Sequence, residues 1–224
     1  MLHDRRNELL DRQRLVDCDG AHRCHPEALF PLRQLTEDAR AAGFEIAVAS
    51  AFRDVEHQAR IVELKFTGAL PVLDRDEQPL DISTMSAADK MAAICVFSAI
   101  PGFSRHHLGS DFDIYPINLL PQGHALQLTA REYDARDPGG YFHPFLDYLH
   151  CRLGNFGFFM PYSGENGMGY EPWHISYRSL ASRLLRDFTP EPGLEWLRHS
   201  DLTCREAAAD YAGAHYRQLL ALDA

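Results

Sequence analysis

The chain has 224 residues, 46% hydrophobic and 24% charged, with 22 Lys+Arg against 32 Asp+Glu and a formal charge of −10. That apolar fraction can build a core without help from disulfides and excludes intrinsic disorder. The acidic balance argues against a nucleic-acid partner, which selects a concentrated basic face, and the longest apolar stretch, 91–102, falls far short of the roughly 20 residues of a membrane-spanning helix.

The N-terminal stretch mixes Asp, Glu and Arg where a signal peptide needs an unbroken apolar segment. The five cysteines (Cys18, Cys24, Cys95, Cys151, Cys204) are odd in number and scattered, as suits free thiols in a reducing compartment. Both features point to the cytoplasm. Cys18, His22, Cys24 and His25 lie close together, but their spacing fits no common zinc module, and a polar N-terminal loop is the simpler reading.

From Pro26 to Ala42, Ala28, Leu32, Leu35 and Ala39 keep helical spacing, and Gly43 stands where a helix stops. Residues 44–50 form a β-prone run, after which Asp54 is placed to cap a helix carrying Val55, Ala59, Val62 and Phe66 on one side. Residues 68–83 read as a loop, and Ser86 with Asp89 opens a further helix that ends at Pro101-Gly102. In SRHHLGSDFDIYP, Asp111, Asp113 and Tyr115 alternate with Phe112 and Ile114, the period of a strand with one polar and one buried face. A helix over 143–153, strands over 156–162 and 172–177, and helices over 179–188 and 204–222, the last two separated by a Pro-rich turn (TPEPG), complete an α+β body with a helical tail.

Two segments concentrate metal-capable side chains: Ser104-x-His106-x-x-Gly109-x-Asp111-x-Asp113 and Glu171-Pro172-Trp173-His174. His106, Asp113 and His174 supply two imidazoles and a carboxylate, the three protein ligands a catalytic zinc takes while leaving one position open. Gly109 permits a tight turn, so that His106 and the acid of the following strand can aim at one point. Glu171 is near His174 without being a required ligand, which suits a carboxylate that takes a proton from an attacking water and hands it to a leaving amine. If His174 points inward, strand alternation turns Trp173 away from the metal and into the core. The adjacent His107 reads as a supporting or structural residue.

These residues resemble the zinc D-alanyl-D-alanine carboxypeptidases, the VanY/VanX-like LAS peptidases. The family pattern S-x-H-x-x-G-x-(small)-x-D is met by Ser104, His106, Gly109 and Asp113, and its E-x-x-H by Glu171 and His174. The family's S-G-Y-R-S followed by Gln is similar to Ser50-Ala51-Phe52-Arg53-Asp54 with Gln58. The resemblance covers roughly Ala28 to Tyr177. It implies a small central antiparallel sheet flanked by helices, the LAS/Hedgehog-like metallopeptidase fold, Zn2+ held by His106, Asp113 and His174, and Glu171 as general base and then acid. It also implies a substrate-facing Arg53, whose planar fork can grip a terminal carboxylate, with Gln58 and Ser104 as further substrate-binding residues. Two departures stand out: Asp111 replaces the usual small residue and would add charge beside the metal or compete as a ligand, and Phe52 replaces a Tyr.

On this basis the chain divides into an N-terminal segment (1–25), a zinc carboxypeptidase core (26–178) and a helical extension (179–224). Periodicity leaves open whether that extension packs on the core or forms a homodimer interface. The expected reaction is removal of a C-terminal D-amino acid, D-Ala foremost, from a peptidoglycan-derived peptide. Cytoplasmic placement favours L,D-carboxypeptidase action on tetrapeptide muropeptides in cell-wall recycling. D,D-cleavage of D-Ala-D-Ala termini, an endopeptidase of the same fold and a non-catalytic zinc- or peptide-binding module are the alternatives.

Overall fold

The computed structural model describes residues 15–165 and 167–224. The signal-peptide reading rests mainly on residues 1–14, outside the described residues. A two-stranded hairpin, β1 (Val16–Asp17) and β2 (Arg23–Cys24), precedes helix α1 (Pro26–Ala41). There follow strand β3 (Ile46–Ser50), helices α2 (Val55–Phe66) and α3 (Ala87–Ile94), strand β4 (Asp111–Pro116), helix α4 (His143–Arg152), strands β5 (Phe158–Phe159) and β6 (His174–Tyr177), and helices α5 (Arg178–Leu185), α6 (Glu191–His199) and α7 (Arg205–Leu219).

Local chemistry fixes the helix starts. Pro26 occupies the first turn of α1, where its missing N–H costs nothing, and His25 Nδ1 accepts from the Glu27 N–H. Asp54 Oδ1 accepts from the His57 N–H at 2.7 Å to cap α2, and Ser86 Oγ accepts from the Asp89 N–H at 3.2 Å to cap α3.

The main sheet runs β3-β4-β6-β5 with every neighbouring pair antiparallel. Its two faces differ. One buries Phe112, Ile114 and Ile175 against Ala28, Leu32 and Leu35 of α1 and Phe145 and Leu149 of α4. The other presents Asp111, Asp113, His174 and Ser176. The C-terminal helices share a second core with the α2–α3 region, in which Leu197, Ala208, Ala212 and Leu219 pack with Val62, Met91, Ile100, Phe103 and Tyr162.

Four expectations from the sequence are corrected. The polar N-terminal loop is a hairpin tied into the body: Cys24 is fully buried, Phe52 N–H donates to Arg23 O, and His25 N–H donates to Gly109 O. The polar face of β4 is not left exposed, since Asp111 and Asp113 are both buried. The 156–162 strand shrinks to two residues, because Gly157 takes a left-handed φ of 76° directly before it. The TPEPG segment is not a turn alone: α6 begins inside it at Glu191, with Pro192 in the first turn, where a helix tolerates proline.

Candidate metal centre

Sheet register assembles the centre. In the β4–β6 pairing Asp113 lies opposite His174 and Asp111 opposite Ser176; in β3–β4, Ser50 lies opposite Asp113 after a register shift that follows Val48. Ser50, Asp113 and His174 thus form one row across three strands. A one-residue slip would send all of them to the apolar face.

His106 comes from a 3-10 turn, Arg105–Leu108, that ends at Gly109 with φ 69°. A Cβ at Gly109 would stand 3.0 Å from the His25 backbone nitrogen, so the position needs glycine for space as well as for φ. Glu171 and His174 are the ends of a β-turn closed by His174 N–H to Glu171 O at 3.1 Å, with Pro172 in the second position that such turns favour. The turn brings Glu171 Oε2 within 3.2 Å of His174 Nδ1.

His106 Nδ1 donates to Ala51 O at 2.9 Å, which leaves Nε2 with its lone pair facing Asp113 Oδ2 at 3.3 Å. His174 is used the other way round: Nε2 is 3.0 Å from Asp111 Oδ1, and Nδ1 faces Asp113 Oδ1 at 3.4 Å. The ligand atoms of His106, Asp113 and His174 all lie within 4.8 Å of one another, and all three residues are buried. Asp113 Oδ1 is buried without a hydrogen-bond partner. A buried carboxylate set between two imidazole nitrogens, with one of its oxygens orphaned, fits a divalent cation, whose binding would satisfy it.

The electrostatics agree. Burial alone would raise the Asp113 carboxyl, but His106, His174 and Arg53 outweigh it and hold it at about 2. Burial dominates at Glu171 and raises its carboxyl above the ordinary value, against the opposing bond to His174. A carboxylate so placed takes and returns a proton more readily than an exposed one. At His174 burial opposes the charged ring, yet bonds to Asp111 and Glu171 outweigh it and push the pKa up to about 9 in the metal-free protein.

Arg53 sits beside the triad, with Nη2 3.8 Å from Asp113 Oδ2 and its side chain 19% exposed. It donates to Ser50 Oγ and Gln58 Oε1, each at 2.8 Å. Gln58, expected against the peptide, is fully buried, and its amide nitrogen is spent on Ala99 O at 2.6 Å, so it holds Arg53 and does not line an open surface. His107 supports the same group through its ring, with Nδ1 donating to Arg53 O at 2.6 Å and Nε2 accepting from Gly102 N–H. Burial lowers its pKa to about 4, consistent with a neutral structural ring. Ser104 is buried at the start of the 3-10 turn and makes no side-chain cap bond there. Trp173 packs in the apolar core. The Cys18–His25 cluster is divided among separate jobs: His22 pairs with Asp19 at 2.8 Å and His25 caps α1.

The sequence reading missed two cations. Lys65, on the Gln58 and Val62 side of α2, bonds Ser98 Oγ at 2.7 Å, and burial lowers its pKa while the charge of Glu171 opposes the shift. The i, i+7 spacing from Gln58 is the signal that could have found it. Arg105 is 2% exposed and bonded to Asp111, Ser176 and the Leu220 carbonyl. No local signal marks it, because apart from Asp111, six residues on, its partners Ser176 and Leu220 are distant in sequence.

Comparison with known proteins follows the same lines. An uncharacterized protein of Haemophilus influenzae is 40% identical over 101 residues, 44% of this chain and 72% of its own length. VanYB in complex with D-alanine-D-alanine superposes with a TM-score of 0.53 at 21% identity, covering 81% of this chain and 87% of that one. A Zn(II) complex of a mutant vancomycin-resistance D,D-pentapeptidase VanY, from a VanB-type cassette, gives 0.53 at 22% identity over 86% and 88% of the two chains. At these identities the structural likeness is one of fold, a small antiparallel sheet flanked by helices. The sequence pattern of the VanY family, described as D-alanyl-D-alanine carboxypeptidase, matches residues 21–180, well over half of the chain, and the chain belongs to that family.

Proposed function

We propose that the protein is a zinc-dependent carboxypeptidase that releases a C-terminal D-amino acid, D-Ala foremost, from peptidoglycan-derived peptides. The observation that carries this reading is the joint placement of a metal-competent triad, a buried acid with a raised pKa and a braced guanidinium on one sheet face. His106, Asp113 and His174 would hold the ion, which when bound supplies Lewis-acid polarisation of the scissile carbonyl and of water.

The chain's own residues do the rest. Glu171 accepts the proton of the attacking water at Oε2 and returns it to the leaving amine; the raised pKa suits both halves of that task. Arg53, fixed by Ser50 and Gln58, takes the substrate's terminal carboxylate through its remaining N–H donors, which selects cleavage of the last residue. No Ser or Cys nucleophile is needed.

The finer assignment is L,D-carboxypeptidase action on soluble tetrapeptide fragments in the cytoplasm, supported by five free thiols, which suit a reducing compartment. A second reading, D,D-cleavage, is favoured by the family's description and by the D-Ala-D-Ala ligand of VanYB. Zinc-loaded protein incubated with tetrapeptide and pentapeptide muropeptides separates them. D-Ala release from the tetrapeptide supports the first, release from the pentapeptide alone supports the second, and release from neither overturns the carboxypeptidase reading.

A further inference from the structure

The chemistry above uses Asp113, His174, His106, Glu171 and Arg53. It leaves unexplained a fully buried carboxylate, Asp111, one row along the same sheet face, and a buried guanidinium, Arg105, that reaches it from the 3-10 turn. Asp111 Oδ1 accepts from Arg105 Nε at 2.8 Å and from His174 Nε2 at 3.0 Å, while Oδ2 accepts from Ser110 Oγ at 2.5 Å. Arg105 donates in turn to Ser176 Oγ and to the carbonyl of Leu220, each at 2.7 Å, and its guanidinium lies 5.4 Å from the centre of the Phe159 ring.

Three donors therefore fix Asp111 in rotation. It cannot compete as a ligand to an ion seated between His106 and Asp113, because its oxygen is spent on the far nitrogen of His174. A ring whose Nε2–H is held by a carboxylate has its Nδ1 lone pair fixed in direction, and here that nitrogen faces Asp113 Oδ1 and Glu171 Oε2. Leu220 is the C-terminal cap of α7, so the guanidinium that carries Asp111 is itself anchored by the helical extension.

We propose that Asp111 is a positioning residue that, carried by Arg105 and anchored to the C-terminal helices at Leu220, accepts the Nε2 proton of His174 and so presents Nδ1 to the metal ion. This rests on the metal-site reading of His106, Asp113 and His174. A carboxylate behind a ligating imidazole fixes its tautomer and increases its basicity, and losing it typically weakens metal affinity about 10- to 100-fold.

The test is zinc affinity by chelator competition, with the visible spectrum of the cobalt(II)-loaded protein as a second readout, on wild type, Asp111→Asn and the double variant Arg105→Met/Asp111→Ala. The double variant removes both charges together, so no unpaired buried ion remains. The expected result is about 10- to 100-fold weaker zinc binding and an altered cobalt spectrum in variants that still unfold cooperatively, with the metal-free melting temperature of Asp111→Asn lowered because Arg105 stays buried without its counter-charge. Unchanged affinity and spectrum in folded variants would overturn the proposal while leaving the metal site intact. Absence of zinc binding by wild type would overturn the metal-site reading beneath it. If neither variant folds, 15N-labelled wild type loaded with 113Cd decides: cadmium coupling to His174 Nδ1 with a protonated Nε2 supports the proposal, and coupling to Nε2 overturns it.

Discussion

On one face of the four-stranded sheet Phe112, Ile114 and Ile175 pack into a shared apolar core, while one residue along the same strands Asp111, Asp113, His174 and Ser176 each depend on a few directed partners. The apolar face is held by many weak contacts, so trimming one side chain loses a fraction of the whole. On the polar face each group has been taken out of water for one or two bonds, and removing a partner leaves a buried charge or lone pair uncompensated. The same backbone therefore carries a tolerant surface and an exacting one, and function rests on the second.

Four substitutions or conditions sharpen that contrast. Glu171→Gln is expected to lower kcat by about 10²- to 10⁴-fold, the usual size of a general acid–base contribution, while zinc content measured by atomic absorption stays at the wild-type level. A variant that kept its turnover would contradict the acid–base role of Glu171, and absence of turnover in the zinc-loaded wild type would mark the chain as a binding module.

Arg53→Ala is expected to lower kcat/KM about 10- to 100-fold on peptides with a free C-terminal carboxylate, from the loss of one or two charge-assisted bonds, and to have little effect on the C-terminal amide. Equal loss on both substrates would contradict a carboxylate clamp, and nearly intact cleavage of both would point to an endopeptidase.

Acidity should act through His174. Its raised pKa, about 9, means that in the metal-free protein an incoming ion must displace a proton from the ring at neutral pH. Zinc affinity should accordingly rise with pH by roughly tenfold per unit up to about 9 and then level off, measured with a pH-corrected chelator series. The same shift stabilises the metal-free fold at low pH: the contribution is complete below the unfolded value of roughly 6.5 and is lost as pH rises through about 9. A flat affinity profile across neutral pH would contradict it.

On the tolerant face, Ile175→Val should cost about 0.5–1.5 kcal/mol in denaturant unfolding and leave zinc affinity unchanged. A loss of metal binding there would show that the two faces are coupled more tightly than their separate partners suggest.

The contrast also separates what could be read in the sequence from what could not. His106, Gly109, Asp113, Glu171 and His174 stand in short patterns because a tight turn, a strand register and a β-turn are local devices, and the helices of α1 and α2 are legible from their caps and apolar spacing. The role of Gln58 was not, since its amide is held by the Ala99 carbonyl, 41 residues away in sequence. Arg105 is joined to Asp111 nearby, but to Ser176 and Leu220 only through folding, so Asp111 could be seen as a departure from the pattern and not as the holder of His174. The two-residue strands of the hairpin give too short an alternation to register, and proline in the first turn of α6 conceals a helix start behind the composition of a turn.

The central claim is tested most directly by anomalous diffraction at the zinc edge from zinc-soaked crystals. The account predicts one peak per chain about 2.0–2.2 Å from His106 Nε2, an oxygen of Asp113 and His174 Nδ1. A peak elsewhere, or none at these three residues, would contradict it.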